Sequence, residues 1–190
     1  MKLKIIVAAA LLALNSCAPA FAAQGESRWS ISTNIPTWLL LGCANADIHY
    51  KIADRWCLQA GVKYNPFTYA AGSERQTHLR QLTPSLGVRY WFDRARNRWF
   101  LGAKLLASEY SVSYPRGGHF FDGELAGAGL FGGYEYPISE RLSLSLGAGA
   151  AVAYHRTTFY VGPVCGRITD RKKGVALFPS DILVSLTIKL

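Results

Sequence analysis

Residues 142–155 read LSLSLGAGAAVAYH, and this stretch decides the fold. Leu142, Leu144, Leu146, Ala148, Ala150, Val152 and Tyr154 fall on one side of an extended chain. Ser143, Ser145, Gly147, Gly149, Ala151, Ala153 and His155 fall on the other. Alternation with a period of two is the signature of a β-strand with chemically different faces. Residues 82–92 repeat it, with Leu82, Leu86, Val88, Tyr90 and Phe92 opposed to Thr83, Ser85, Gly87 and Arg89. At the end of the chain Ile182, Val184, Leu186, Ile188 and Leu190 oppose Ser185, Thr187 and Lys189. Weaker alternation over 28–36, 45–53, 55–65, 98–112 and 122–137 brings the expected total to eight strands, and helix-period stripes are absent.

The connections alternate in length. Short ones at 53–55, 93–97 and 137–140 are interleaved with long ones at about 37–44, 66–77, 113–121 and 160–177. Short turns at one end and long loops at the other is the pattern of an outer-membrane β-barrel. Composition agrees. The chain of 190 residues is 50% hydrophobic but only 17% charged, too apolar for an ordinary soluble domain. Beyond the N-terminus no run approaches the roughly 20 apolar residues of a spanning helix. The expected fold is therefore an all-β, eight-stranded antiparallel transmembrane β-barrel.

Residue size assigns the faces. Leu, Val, Ile, Tyr and Trp suit lipid. Gly, Ala and Ser with isolated charges suit the narrow lumen of eight strands, where side chains fill the interior. The expected lumen charges are Asp47, Lys63, Arg89, Lys104, Glu109 and Glu135, with His49, Lys51 and Lys189 on the same faces. Trp29, Trp56, Trp91, Trp99 and Tyr136 are expected to form an interfacial girdle on the turn side.

Residues 1–22 read as a secretory signal. Lys2 and Lys4 precede an apolar core from Ile5 to Leu14, and Ala20-Phe21-Ala22 offers a small-x-small cleavage site. Residues 23–190 would then be the barrel domain. A lipobox-like Leu14-Asn15-Ser16-Cys17 gives an alternative in which Cys17 carries a lipid.

Several strings together resemble an uncharacterised family of small bacterial outer-membrane barrels. They are Tyr64-Asn65-Pro66-Phe67-Thr68, Val88-Arg89-Tyr90-Trp91-Phe92, Arg98-Trp99-Phe100-Leu101-Gly102, Gly127-Ala128-Gly129 before Tyr134-Glu135-Tyr136, and Phe178-Pro179-Ser180. The resemblance covers roughly residues 28–190. It implies an envelope role, with a connection to fimbrillin-type surface fibres, and brings no catalytic residues. The family's loop before the last strand usually carries paired cysteines near a Tyr, whereas here Tyr160 precedes the single Cys165.

Candidate chemistry is sparse. Gly127-Ala-Gly-Leu-Phe-Gly132 matches a dinucleotide fingerprint by letter but lies inside an expected strand rather than opening a helix. The histidines His49, His78, His119 and His155 share no metal spacing, and no Gly-x-Ser-x-Gly elbow occurs. His155, with Ser108 and Ser111 at similar height, is the nearest approach to an acyl-transfer site. Neither enzyme activity nor a cofactor or metal is expected. Cys43 and Cys165 fall in the first and fourth long loops, which barrel closure makes neighbours, so a disulfide between them is a hypothesis. Arg167, Arg171, Lys172 and Lys173 form a basic stretch in the longest loop, suited to phosphates of lipopolysaccharide or acidic glycans. Although net charge is +9, the basic residues are too scattered for nucleic acid.

The functional expectation is a monomeric outer-membrane barrel with a structural or surface-interaction role, as a fimbria-associated accessory. Its expected partners are outer-membrane lipid, lipopolysaccharide, and surface-fibre or envelope proteins. A lipid-modifying barrel enzyme and a secreted soluble ligand-binding barrel are the alternatives.

Overall fold

A computed structural model describes residues 28–69, 77–93, 98–113, 119–161 and 167–190. Its elements are β1 (Trp29–Asn34), α1 (Ile35–Leu41), β2 (Ala44–Lys51), β3 (Trp56–Asn65), β4 (Thr68–Tyr69), β5 (Thr77–Trp91), β6 (Trp99–Ser113), β7 (His119–Pro137), β8 (Leu142–Val161) and β9 (Arg167–Lys189). The expected signal segment, including Cys17, lies outside the described residues.

Eight long strands form a ring, each antiparallel to its neighbours. Strand β3 pairs with β5, and β1 pairs with β9, so the sheet closes on itself; β4 adds two residues beside the start of β5. Closure satisfies the backbone groups that an open sheet leaves on its edges. The pairing is staggered. A path from Ser32 through Asp47, Gly61, Ser85, Leu106, Gly127 and Ala153 reaches β9 at Ala176, although Ser32 itself faces Thr187 of β9. That offset tilts the strands, as closure of a barrel-like sheet requires.

The two faces follow the period of two. On β8, Ser143, Ser145, Ala151 and Ala153 are buried while Leu146, Val152 and Tyr154 are exposed. Large apolar side chains cover the outside around the ring, among them Leu86, Leu105, Leu130 and Ile182. Tilted or edge-on aromatic pairs circle the short-turn end: Trp29–Tyr50 at 4.6 Å, Trp56–Tyr90 at 5.0 Å and Trp99–Tyr134 at 5.4 Å between ring centroids.

The architecture departs from the sequence reading in two places. The first connection contains a helix. Pro36 presets the φ angle of its first turn, and Gly42 ends it in a left-handed conformation (φ 59°) with its N–H donating to the Trp38 carbonyl at 3.1 Å. More consequentially, β8 and β9 run on through much of the expected fourth loop, Val161 pairing with Arg167. Charged residues disguised this extension. Pro179 lies within β9 but beyond the reach of β1, whose last partner on β9 is Ser185. A proline can occupy a strand where no neighbour needs its N–H.

Candidate functional site

The most elaborate polar construction is inside the ring. At its mid-height Asp181 of β9 receives two lysines. The Lys63 ammonium of β3 lies 3.1 Å from one carboxylate oxygen, and Lys104 of β6 bonds the other. Ser180 donates its hydroxyl to the same carboxylate at 2.8 Å. Toward the short-turn end Arg89 of β5 is wedged in an aromatic cage, 4.4 Å from the Phe100 ring centroid and 5.5 Å from those of Trp91 and Phe131. Its guanidinium stands 3.9 Å from Glu135 and donates to Gln59 at 3.2 Å, while Gln59 donates onward to Asp47 at 3.2 Å. The Trp91 indole N–H and the Ser143 hydroxyl donate to the two Glu135 oxygens at 3.1 and 2.7 Å.

Local sequence makes room for this cage. A Cβ on Gly102 would lie 2.3 Å from the Phe131 ring, so glycine is what allows that ring to cross the lumen. Both Cα partners of Phe131 are glycines, Gly102 on β6 and Gly149 on β8. A large aromatic over glycine is a known means of stabilising such a strand. The letter-match to a dinucleotide fingerprint at 127–132 is thus part of β7, where its glycines let other groups approach.

Three carboxylates (Asp47, Glu135 and Asp181) meet three cations (Lys63, Arg89 and Lys104) within one connected interior. Charges away from bulk water must be paired in this way. The space left at the short-turn end, lined by Arg89, Trp91, Glu135, His49 and Thr187, is about 20 Å³. That holds about one water molecule. The interior at this level is a plug rather than a conduit.

Of the expected lumen charges, the structure places Asp47, Lys63, Arg89, Lys104 and Glu135 inside. Glu109 is corrected: it is exposed and shares the outer face of β6 with Leu101 and Leu105, opposite Glu124. Five residues separate it from the inward Lys104, and an odd spacing on a strand puts the two on opposite faces. Trp91 is also corrected from girdle to interior, being only 4% exposed. Asp181 was not among the expected lumen charges, although it shares alternation with Leu183, Ser185 and Thr187.

Arg167, Arg171, Lys172 and Lys173 belong to β9 and not to a loop. All four are exposed. Arg171 and Lys173 alternate onto the outer face with Val175 and Leu177, while Lys172 turns toward Phe159 (5.5 Å to the ring centroid) and Asp170 (3.6 Å). Cys43 is fully buried and has no disulfide partner among the described residues; Cys165 lies outside them. His155 bonds Thr157 at 3.1 Å, whereas His78 Nε2 lies 2.8 Å from Ser111 Oγ near the long-loop end. No metal-binding group of three His, Cys, Asp or Glu occurs among the described residues, and no helix there is long and apolar enough to cross a membrane.

A family model described as a protein of unknown function, DUF3575, matches residues 7–190. The chain belongs to the DUF3575 family. No curated protein and no solved structure matches it. Membership in DUF3575 agrees with the resemblance to an uncharacterised family and assigns no activity, so a functional reading of this DUF3575 chain must come from its geometry.

Proposed function

We propose that the protein is a monomeric outer-membrane β-barrel with a structural or surface-interaction role in the bacterial envelope, serving surface fibres as an accessory. The observation that carries this reading is the inverted sidedness of the ring. Leu130, Leu105 and Leu177 are 63%, 64% and 75% exposed on the outside, while arginine, lysine and carboxylates are buried within. Water as the outer solvent would favour the reverse. On β8 the outward residues from Leu144 to Tyr154 are uncharged, and Arg156 follows. Ten residue steps of about 3.3 Å, tilted by about 40°, rise roughly 25 Å, the height of the apolar band of such barrels.

The test is membrane fractionation combined with gel migration of boiled and unboiled samples. An outer-membrane protein whose mobility changes on boiling is expected. A soluble periplasmic protein without a heat shift overturns the reading. The fibre connection is tested separately by deleting the gene and measuring surface-fibre display, which should fall.

One observation favours a second reading, hydrolysis or transfer of ester-linked acyl chains. The His78–Ser111 contact at 2.8 Å pairs a base with a hydroxyl near the expected outer boundary of the membrane. Loss of lipid acyl-ester cleavage in Ser111→Ala would support it; absence of such activity in the parent protein excludes it.

A further inference from the structure

A cationic cluster crosses the outer face where the apolar belt ends. Arg156 of β8 and Lys173 of β9 are direct cross-strand partners, and Arg171 lies two residues further along β9 on the same side. The Arg156 guanidinium is 5.9 Å from the Tyr154 ring centroid, so its stem follows the apolar wall while its head reaches the boundary. Glu124 stands 3.6 Å from Arg156, and both side chains are mostly exposed. An ion pair so wet is weak and readily exchanged. The Arg171 and Lys173 side chains form no ion pair among the described residues.

Below the cations the wall is concave. An apolar groove of about 740 Å³ runs from Leu58 of β3 and Leu86 of β5 across Leu105, Ala128 and Ala150 to Val152 and Leu177 at its β8–β9 end. Small outward residues in the middle of β7 and β8, between larger ones on their neighbours, create this depression. Val152 precedes Arg156 by four residues, which places the groove about 13 Å along the strand from the cation. Polar recognition and apolar recognition are therefore stacked in the order of an amphiphile's own parts.

We propose that this face is a docking site for a phosphorylated, multiply acylated glycolipid of the outer leaflet. Arg156, Arg171 and Lys173 would hold its phosphate oxygens, and the groove would hold its acyl chains. Guanidinium groups bind phosphate through paired, charge-assisted hydrogen bonds, and three cations spanning two strands can engage more than one anionic oxygen group. The carboxylates Asp122 and Glu124 of the adjoining β7, and Glu109 of β6 beyond it, repel phosphate, which confines the headgroup to the β8–β9 side. This inference rests on the membrane reading and names its lipid partner.

The experiment uses the full-length protein in non-ionic detergent, with binding followed by native mass spectrometry. The probes are bisphosphorylated lipid A, dephosphorylated lipid A and phosphatidylglycerol. Saturable one-to-one retention of bisphosphorylated lipid A is expected, with at least tenfold weaker retention of the other two. Arg171→Glu with Lys173→Glu should lower lipid A affinity at least tenfold, and Ala128→Phe in the groove should weaken it as well. Arg141→Glu, exposed at the short-turn end, should leave it unchanged. Equal retention by the charge-reversed variant, or equal retention of phosphatidylglycerol, overturns the inference. The two failures are distinguishable: a heat-modifiable outer-membrane protein that retains no lipid A refutes this site alone, whereas a soluble protein refutes the membrane reading beneath it.

Discussion

Replacing Asp181 by Asn removes one negative charge from the centre of the lumen and keeps the side chain's size. Coulomb's law with an effective dielectric near 20 gives ~5 kcal/mol for an ammonium and a carboxylate 3.1 Å apart, the Lys63–Asp181 separation. Lys63 is 25% exposed and can turn toward water, so part of that loss is recovered. Lys104 cannot do the same. Its side chain is 9% exposed, and once the carboxylate is gone its nearest aromatic support is the Phe131 ring centroid at 5.8 Å. Breaking a buried pair by removing one partner typically costs about 3–5 kcal/mol, and that is the expected loss of stability. The assay is a urea series in detergent, reading the fraction of the compact, faster-migrating form on unboiled gels. Asp181→Asn combined with Lys104→Met should recover about 2 kcal/mol or more, because the stranded charge is gone. A single variant that costs under about 1 kcal/mol, or a double variant no more stable than the single, refutes the account of Asp181 as the hub of the interior charge network.

Three further outcomes are expected. Leu130→Arg puts a charge in the middle of the outer belt and should cost about 2–4 kcal/mol when folding is measured into lipid vesicles. The same change on a water-exposed surface would be nearly neutral, so a negligible cost there counts against membrane insertion. Gly133→Val would force a Cβ to within 2.1 Å of the Leu146 carbonyl oxygen, and the ring should fail to close; circular dichroism and loss of the compact band report this, and a normally folded variant contradicts the packing. Burial pushes the Cys43 thiol above its ordinary pKa. A raised pKa means less thiolate at pH 8, so after reduction Cys43 in the folded protein should alkylate far more slowly than in urea; peptide mapping that finds equal rates removes the argument.

Much of the architecture was legible because alternation is a local property. The faces of residues 82–92, 142–155 and 182–190 follow from side-chain type, and the structure buries and exposes them accordingly. Strand ends were harder to read. Beyond the apolar belt the outward side chains become charged, so Arg171 and Lys173 lost the pattern that identifies a strand while their backbone kept it. Glu109 was misplaced for a different reason: it lies five residues from the inward Lys104, and an odd spacing on a strand puts the two on opposite faces. Asp181 alternates with Leu183 but lies one residue before the stretch 182–190 in which the last strand was read.

The sequence by itself determined an all-β chain with two unlike faces, because period-two spacing and residue size need no tertiary information. Only the tertiary structure decided which residues meet. Lys63, Lys104 and Asp181 come from three strands far apart in sequence, and only closure and stagger of the ring bring them to one level. The stacking of Arg89 on Phe100 and Phe131 has the same origin. So does the placement of Arg156 beside Lys173, since alternation fixes the face a residue occupies but cross-strand register fixes its neighbours.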